Sequence, residues 1–167
     1  MPRPHWGMLF FASALTACAT ASDPLGNPSP GSLAIEPEKS SYTWSEASAD
    51  GIRGTIRNTS DRILYSRIGD AFLISVDQDP LLIANLSDGA VERQIGSDTW
   101  ARVPTASSIE GVRFVVLRPG QTYHFIGQLS GTPQDGMYRV AISYRTSIND
   151  EEPSRSFTDH SPAFAVR

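Results

Sequence analysis

From Ser32 onward the chain alternates short apolar runs with turn-forming residues. The runs are Leu33–Ile35, Tyr42–Trp44, Ile52–Ile56, Ile63–Ile68, Ala71–Val76, Leu81–Ala84, Val112–Leu117, Thr122–Leu129, Met137–Tyr144 and Ala163–Val166. They are rich in Ile, Val, Tyr and Phe, and their alternation suits strands with one face buried. No window shows a helical apolar stripe with a capping residue at its start, so no helix is predicted. Many short strands with frequent turns predict an all-β body, a sandwich or a small barrel.

Three turns follow from residue chemistry. Arg118-Pro119-Gly120-Gln121 places Pro then Gly at the centre of a type II turn between two strands. Asn58-Thr59-Ser60-Asp61 is a cluster whose side chains bond their own backbone, so the chain turns after Ile52–Ile56. Asp135-Gly136 introduces a strand in which Tyr138, Val140 and Ile142 share one face, with Met137, Arg139 and Ala141 on the other. Residues 77–111 are longer and more polar than a strand connection, which predicts an irregular excursion or an extra hairpin there.

Ahead of this body the chain reads differently. Arg3 gives a positive start, no charge follows until Asp23, and the apolar stretch from Trp6 to Ala17 falls short of the ~20 residues of a spanning helix. That is the pattern of a secretory signal peptide. Leu15-Thr16-Ala17-Cys18 resembles the bacterial lipobox. The resemblance implies cleavage between Ala17 and Cys18, a diacylglycerol thioether on Cys18, and a membrane anchor made of acyl chains. A thiol is required because sulfur is the nucleophile that takes the lipid. The plainer alternative is a cysteine beside an ordinary cleavage site. Ala19, where the family's inner-membrane signal has Asp, implies the outer membrane of a Gram-negative cell. Residues 18–31 form a tether in which Pro24, Pro28 and Pro30 favour an extended chain of ~3.1 Å per residue.

Within residues 32–167 a second resemblance emerges. Gly54-Thr55-Ile56-Arg57-Asn58 with Ser60-Asp61, then Trp100 with Val103-Pro104, then Leu117-Arg118-Pro119-Gly120-Gln121, then Gly136-Met137-Tyr138-Arg139 resemble, in order, the bacterial immunoglobulin-like domains. The resemblance implies a single immunoglobulin-like antiparallel β-sandwich of about seven to nine strands. It implies further that the Tyr138 hydroxyl bonds back to an upstream backbone group. Val140 stands where such domains usually carry a cysteine, so the core closes by packing.

Composition narrows the function. Fourteen Lys+Arg against eighteen Asp+Glu give a net charge of −4, and no basic cluster stands out to meet a nucleic-acid backbone. A 40% hydrophobic share is too high for a disordered chain. One cysteine allows neither an internal disulfide nor a multi-thiolate metal site. After cleavage two histidines remain. His124 alternates away from Tyr123 and Phe125 and reads as a solvated strand residue. Asp159-His160-Ser161 juxtaposes three triad residue types, but triads assemble from distant segments, so this is expected to be a loop before the last strand. Asp77-Gln78-Asp79 and Asn149-Asp150-Glu151-Glu152 offer carboxylates to calcium without the glycine and closing glutamate of a loop motif. No phosphate loop or dinucleotide pattern is present, and no cofactor or small-molecule substrate is implied. Trp100 is expected in the core, and Trp44 either in the core or exposed as a contact anchor.

The expectation is a non-enzymatic, lipid-anchored envelope protein whose sandwich serves as a protein-interaction or structural module, by edge-strand pairing or end-loop contacts. Its partners would be the membrane, through Cys18, and an envelope protein that the residues do not name. Two alternatives stand beside it: a protease-inhibitor-like sandwich acting through residues 77–111, and a hydrolase using His124 or His160.

Overall fold

The computed structural model describes residues 31–66, 69–72, 81–86, 90–106, 115–148 and 156–167. Ala17, Cys18, the tether as far as Pro30 and the two acidic runs at 77–79 and 149–152 lie outside the described residues.

The elements in chain order are β1 (Leu33–Pro37), β2 (Ser41–Tyr42), α1 (Trp44–Ala49), β3 (Ile52–Asn58), β4 (Leu64–Ser66), β5 (Gly69–Phe72) and β6 (Leu81–Leu86). They continue with β7 (Val91–Gln94), β8 (Trp100–Arg102), β9 (Val115–Leu117), β10 (Thr122–Gly127), β11 (Gly136–Arg145), β12 (Phe157–His160) and β13 (Phe164–Val166). One sheet has the order β1-β3-β10-β6-β5. The other is built around β11: β12 and β13 follow one another along one edge, while β7 and β4 take the other and carry β8 and β9 outside them. The thirteen strands among the described residues exceed the seven to nine expected, in part because the long β11 meets two short strands along each edge.

The two sheets pack as an all-β sandwich on a common core. Period-2 alternation explains which residues enter it: β3 reads buried–exposed–buried from Ile52 through Ile56, and β10 buries Tyr123 and Phe125. From the facing sheet come Leu64, Val91, Leu117, Tyr138, Val140, Ile142 and Tyr144, with Phe164 and Val166 behind them. Val140 is fully buried at the position where a bridge was not available. Gly54 has a steric reason: a Cβ there would collide with the Glu36 carbonyl of β1 and the Phe125 ring of β10.

Several expectations need correcting. Tyr42–Trp44 is not one strand: β2 ends at Tyr42, and Trp44 opens α1. The missed signal is Thr43-x-x-Glu46, a capping box in which the Thr43 side chain accepts the Glu46 N–H and the Glu46 carboxylate accepts the Thr43 N–H. The sandwich is not wholly antiparallel, because β10 pairs β6 and β13 pairs β2 in parallel. Asp159 and His160 belong to strand β12, not to a loop. Within 77–111, β7 and β8 form an antiparallel hairpin, the extra hairpin that was one of the two expectations.

Candidate functional site

The β7–β8 hairpin puts different chemistry on its two faces. Register pairs Arg139 with Glu92 and Glu92 with Arg102, and Gln94 with Trp100, so these five share the outer face. There Arg139 donates through Nε and Nη2 to Glu92 Oε2 at 2.8 and 2.7 Å, and its guanidinium lies 4.2 Å from the centre of the Trp100 ring. Trp100 is therefore a half-buried outer-face residue under an arginine and not the core residue expected. The cause is register: Trp100 stands opposite Gln94, an outward position of β7.

His160 of β12 joins this cluster, with Nε2 at 3.7 Å from Glu92 Oε2. Partial burial and the neighbouring Arg139 charge hold its pKa below the ordinary histidine value, against the opposing pull of Glu92 and Asp159. The three residues Asp159, His160 and Ser161 do not assemble into a triad. The Asp159 carboxylate turns inward and accepts the backbone N–H groups of Gly31 and Leu33 at 2.6 and 2.8 Å. The Ser161 hydroxyl accepts the Val140 N–H and donates to the Pro162 carbonyl. His124, half-buried between the buried Tyr123 and Phe125, faces away from the core as its alternation predicts.

On the inner side of the same hairpin lies a cleft of about 210 Å³ at one end of the sandwich. The segment Ala101–Pro104 forms one wall and Ser130–Thr132 with Gln134 the other, while Trp44, Tyr138 and Arg93 line it as well. The walls converge where the Ser130 N–H donates to the Pro104 carbonyl and Thr105 pairs with Leu129. Trp44 is half-buried, packing partly on the core and partly lining this cleft, which lies between the buried and the exposed placements considered for it. Arg93 drew no attention in the sequence. The available signal was register, since an arginine opposite Tyr138 must point the way that tyrosine points.

The remaining motif residues are structural. The fully buried Asn58 side chain donates to the carbonyls of Arg62 and Leu117 at 2.6 and 2.8 Å and accepts from the Ser60 N–H and hydroxyl. It thus ties the end of β3 to the next turn and to β9. Gly120 adopts φ +72° after Pro119, and the Gln121 N–H returns to the Arg118 carbonyl, as a type II turn requires. Gly136 opens β11, and the Tyr138 hydroxyl donates to the Gln134 carbonyl at 2.6 Å, the upstream backbone bond that was expected.

Among the described residues no group of three or more His, Cys, Asp or Glu side chains is placed to hold a metal ion. No helix among them is long and apolar enough to cross a membrane. Compared with known proteins, the chain matches no family model, no curated protein and no solved structure.

Proposed function

We propose that the chain is a non-enzymatic, lipid-anchored cell-envelope protein whose sandwich docks a protein partner at the β7–β8 end. The lipobox-like Leu15-Thr16-Ala17-Cys18 supports the anchor, and Ala19 after it supports the outer-membrane location. The observation that carries the docking reading is the open edge of β8: among the described residues this strand pairs with β7 alone. An unpaired edge strand offers backbone donors and acceptors to an added strand, and the Trp44 cleft beside it offers a pocket for a side chain. Attachment by two or three acyl chains on Cys18 would hold the sandwich beside the bilayer through the tether that leads to β1.

Site-specific photo-crosslinking in the native host tests the reading. A crosslinker at Arg102 on β8 captures a defined envelope protein, whereas one at Arg57 on the opposite sheet does not, and intact mass shows acyl chains on Cys18. Equal capture from both positions, or from neither, removes the docking site; a mature chain that lacks Cys18 or carries no added mass removes the anchor.

A second reading has its own support. Ile95, at the tip of the same hairpin, is 56% exposed, and an exposed apolar tip within 77–111 suits a loop that enters a protease cleft. Incubation with a panel of serine, cysteine and metalloproteases decides it, with inhibition lost in Ile95→Asp as the supporting result.

A further inference from the structure

Arg93 points where arginines seldom point. It stands opposite Tyr138 and Ala101, on the face of β7 that looks toward the core, and it is half-buried beside the fully buried Tyr138. Among the described residues no carboxylate lies within ion-pair distance of its guanidinium and no group accepts a hydrogen bond from it. Glu92, its neighbour in β7, faces the other way and is already held by Arg139. Asp135 acts on the Tyr138 hydroxyl through its charge but makes no ion pair with Arg93. A partly exposed guanidinium that faces a cleft and makes no hydrogen bond leaves its planar fork open to a ligand, and the two oxygens of a carboxylate match that fork best.

The walls around it specify the rest of the ligand. Trp44 and Tyr138 give aromatic surface, and Val103 adds an apolar side chain. The volume of about 210 Å³ lies below the ~300–1,000 Å³ of drug-sized sites, so the cleft takes a group of about one amino-acid residue. We infer that the cleft binds a carboxylate joined to an apolar group, with Arg93 as its counter-ion and Trp44 as its apolar wall. That is the chemistry of a peptide's C-terminal residue and of a free small aromatic acid. The inference goes beyond partner docking, since a free acid would fill the cleft with no protein on the β8 edge.

Calorimetric titration of the full-length chain in non-ionic detergent tests it with three probes: acetyl-alanyl-phenylalanine as the free acid, the same peptide as its amide, and phenylacetate. The free-acid peptide is expected to bind about tenfold or more tightly than its amide, the loss typical of one charge-assisted contact. Arg93→Gln should weaken the acid to the level of the amide, and Arg93→Lys should recover part of the difference. Phenylacetate equal to the peptide acid assigns the site to small acids, and a tighter peptide acid assigns it to chain termini. Equal affinity of acid and amide, no binding of either acid, or a folded Arg93→Gln variant that binds the acid unchanged overturns the inference. If Arg93→Gln does not fold, the comparison of acid with amide on the unaltered chain decides. Crosslinking from Arg102 reports separately on the docking edge, so either idea can fail without the other.

Discussion

Asp159 and Leu33 stand 126 positions apart and meet through a 2.8 Å hydrogen bond, the Asp159 carboxylate accepting the Leu33 backbone N–H. Its second oxygen accepts the Gly31 N–H, and the side chain is buried. The penultimate strand thus clamps the first strand at the point where the N-terminal segment joins the body. Asp159→Ala leaves two backbone donors without their charged acceptor and should cost about 2 kcal/mol. Denaturant unfolding measures the loss, and limited proteolysis should open the chain near Gly31. Unchanged stability would show that solvent replaces the clamp.

Asn58 should prove as sensitive as a core residue although it is polar. Asn58→Ala removes the donor shared by the Arg62 and Leu117 carbonyls at a fully buried site, an expected loss of about 3 kcal/mol. Asn58→Asp keeps the shape but replaces that donor with an acceptor, so it should be at least as damaging. Thermal unfolding of both variants checks the order.

Acid stability should depend on His160. Burial and Arg139 depress its folded-state pKa below 6.5, so the unfolded chain takes up the proton first. Stability is then level above pH 6.5 and falls as the pH drops through the depressed value. A His160→Gln variant should lose that part of the slope; a slope identical to the parent's would rule the contribution out.

At the alkaline end the sign reverses. Burial pushes the Tyr144 hydroxyl up to about 12 from the ordinary 10.0, and Tyr42 and Tyr138 are raised for the same reason. The folded chain keeps these protons after the unfolded chain begins to release them. Stability should be intact below pH 10 and decline toward pH 12, with phenolate absorbance rising together with unfolding. Tyr144→Phe should flatten the decline.

Gly54→Ala tests the close approach of β1, β3 and β10. The added methyl group collides with a backbone carbonyl and a ring, one of which must shift, so a loss of about 2 kcal/mol is expected from overpacking. A variant as stable as the parent would show that β1 can shift outward.

Alternation along the chain assigned the longer strands and their faces, with Tyr138, Val140 and Ile142 inward and His124 outward as period 2 requires, but it did not pick out the short β7, β8 and β12. Local turn chemistry was equally legible, from Pro119-Gly120 to the Asn58 cluster and the Tyr138 corner bond, because each depends on neighbours a few residues away. The capping box of α1 was just as local and simply sat inside a run too short for a helical stripe. The candidate site was not legible. Trp100 on the outer face under Arg139, Arg93 turned toward the cleft, and Asp159 clamped on Leu33 all depend on which strands become neighbours and in what register. A two-residue period tells each strand which side to bury, but it is the same for every strand and carries no information about its partner. Sheet order comes from the packing of the whole core, so those three placements exist only once the sandwich has closed.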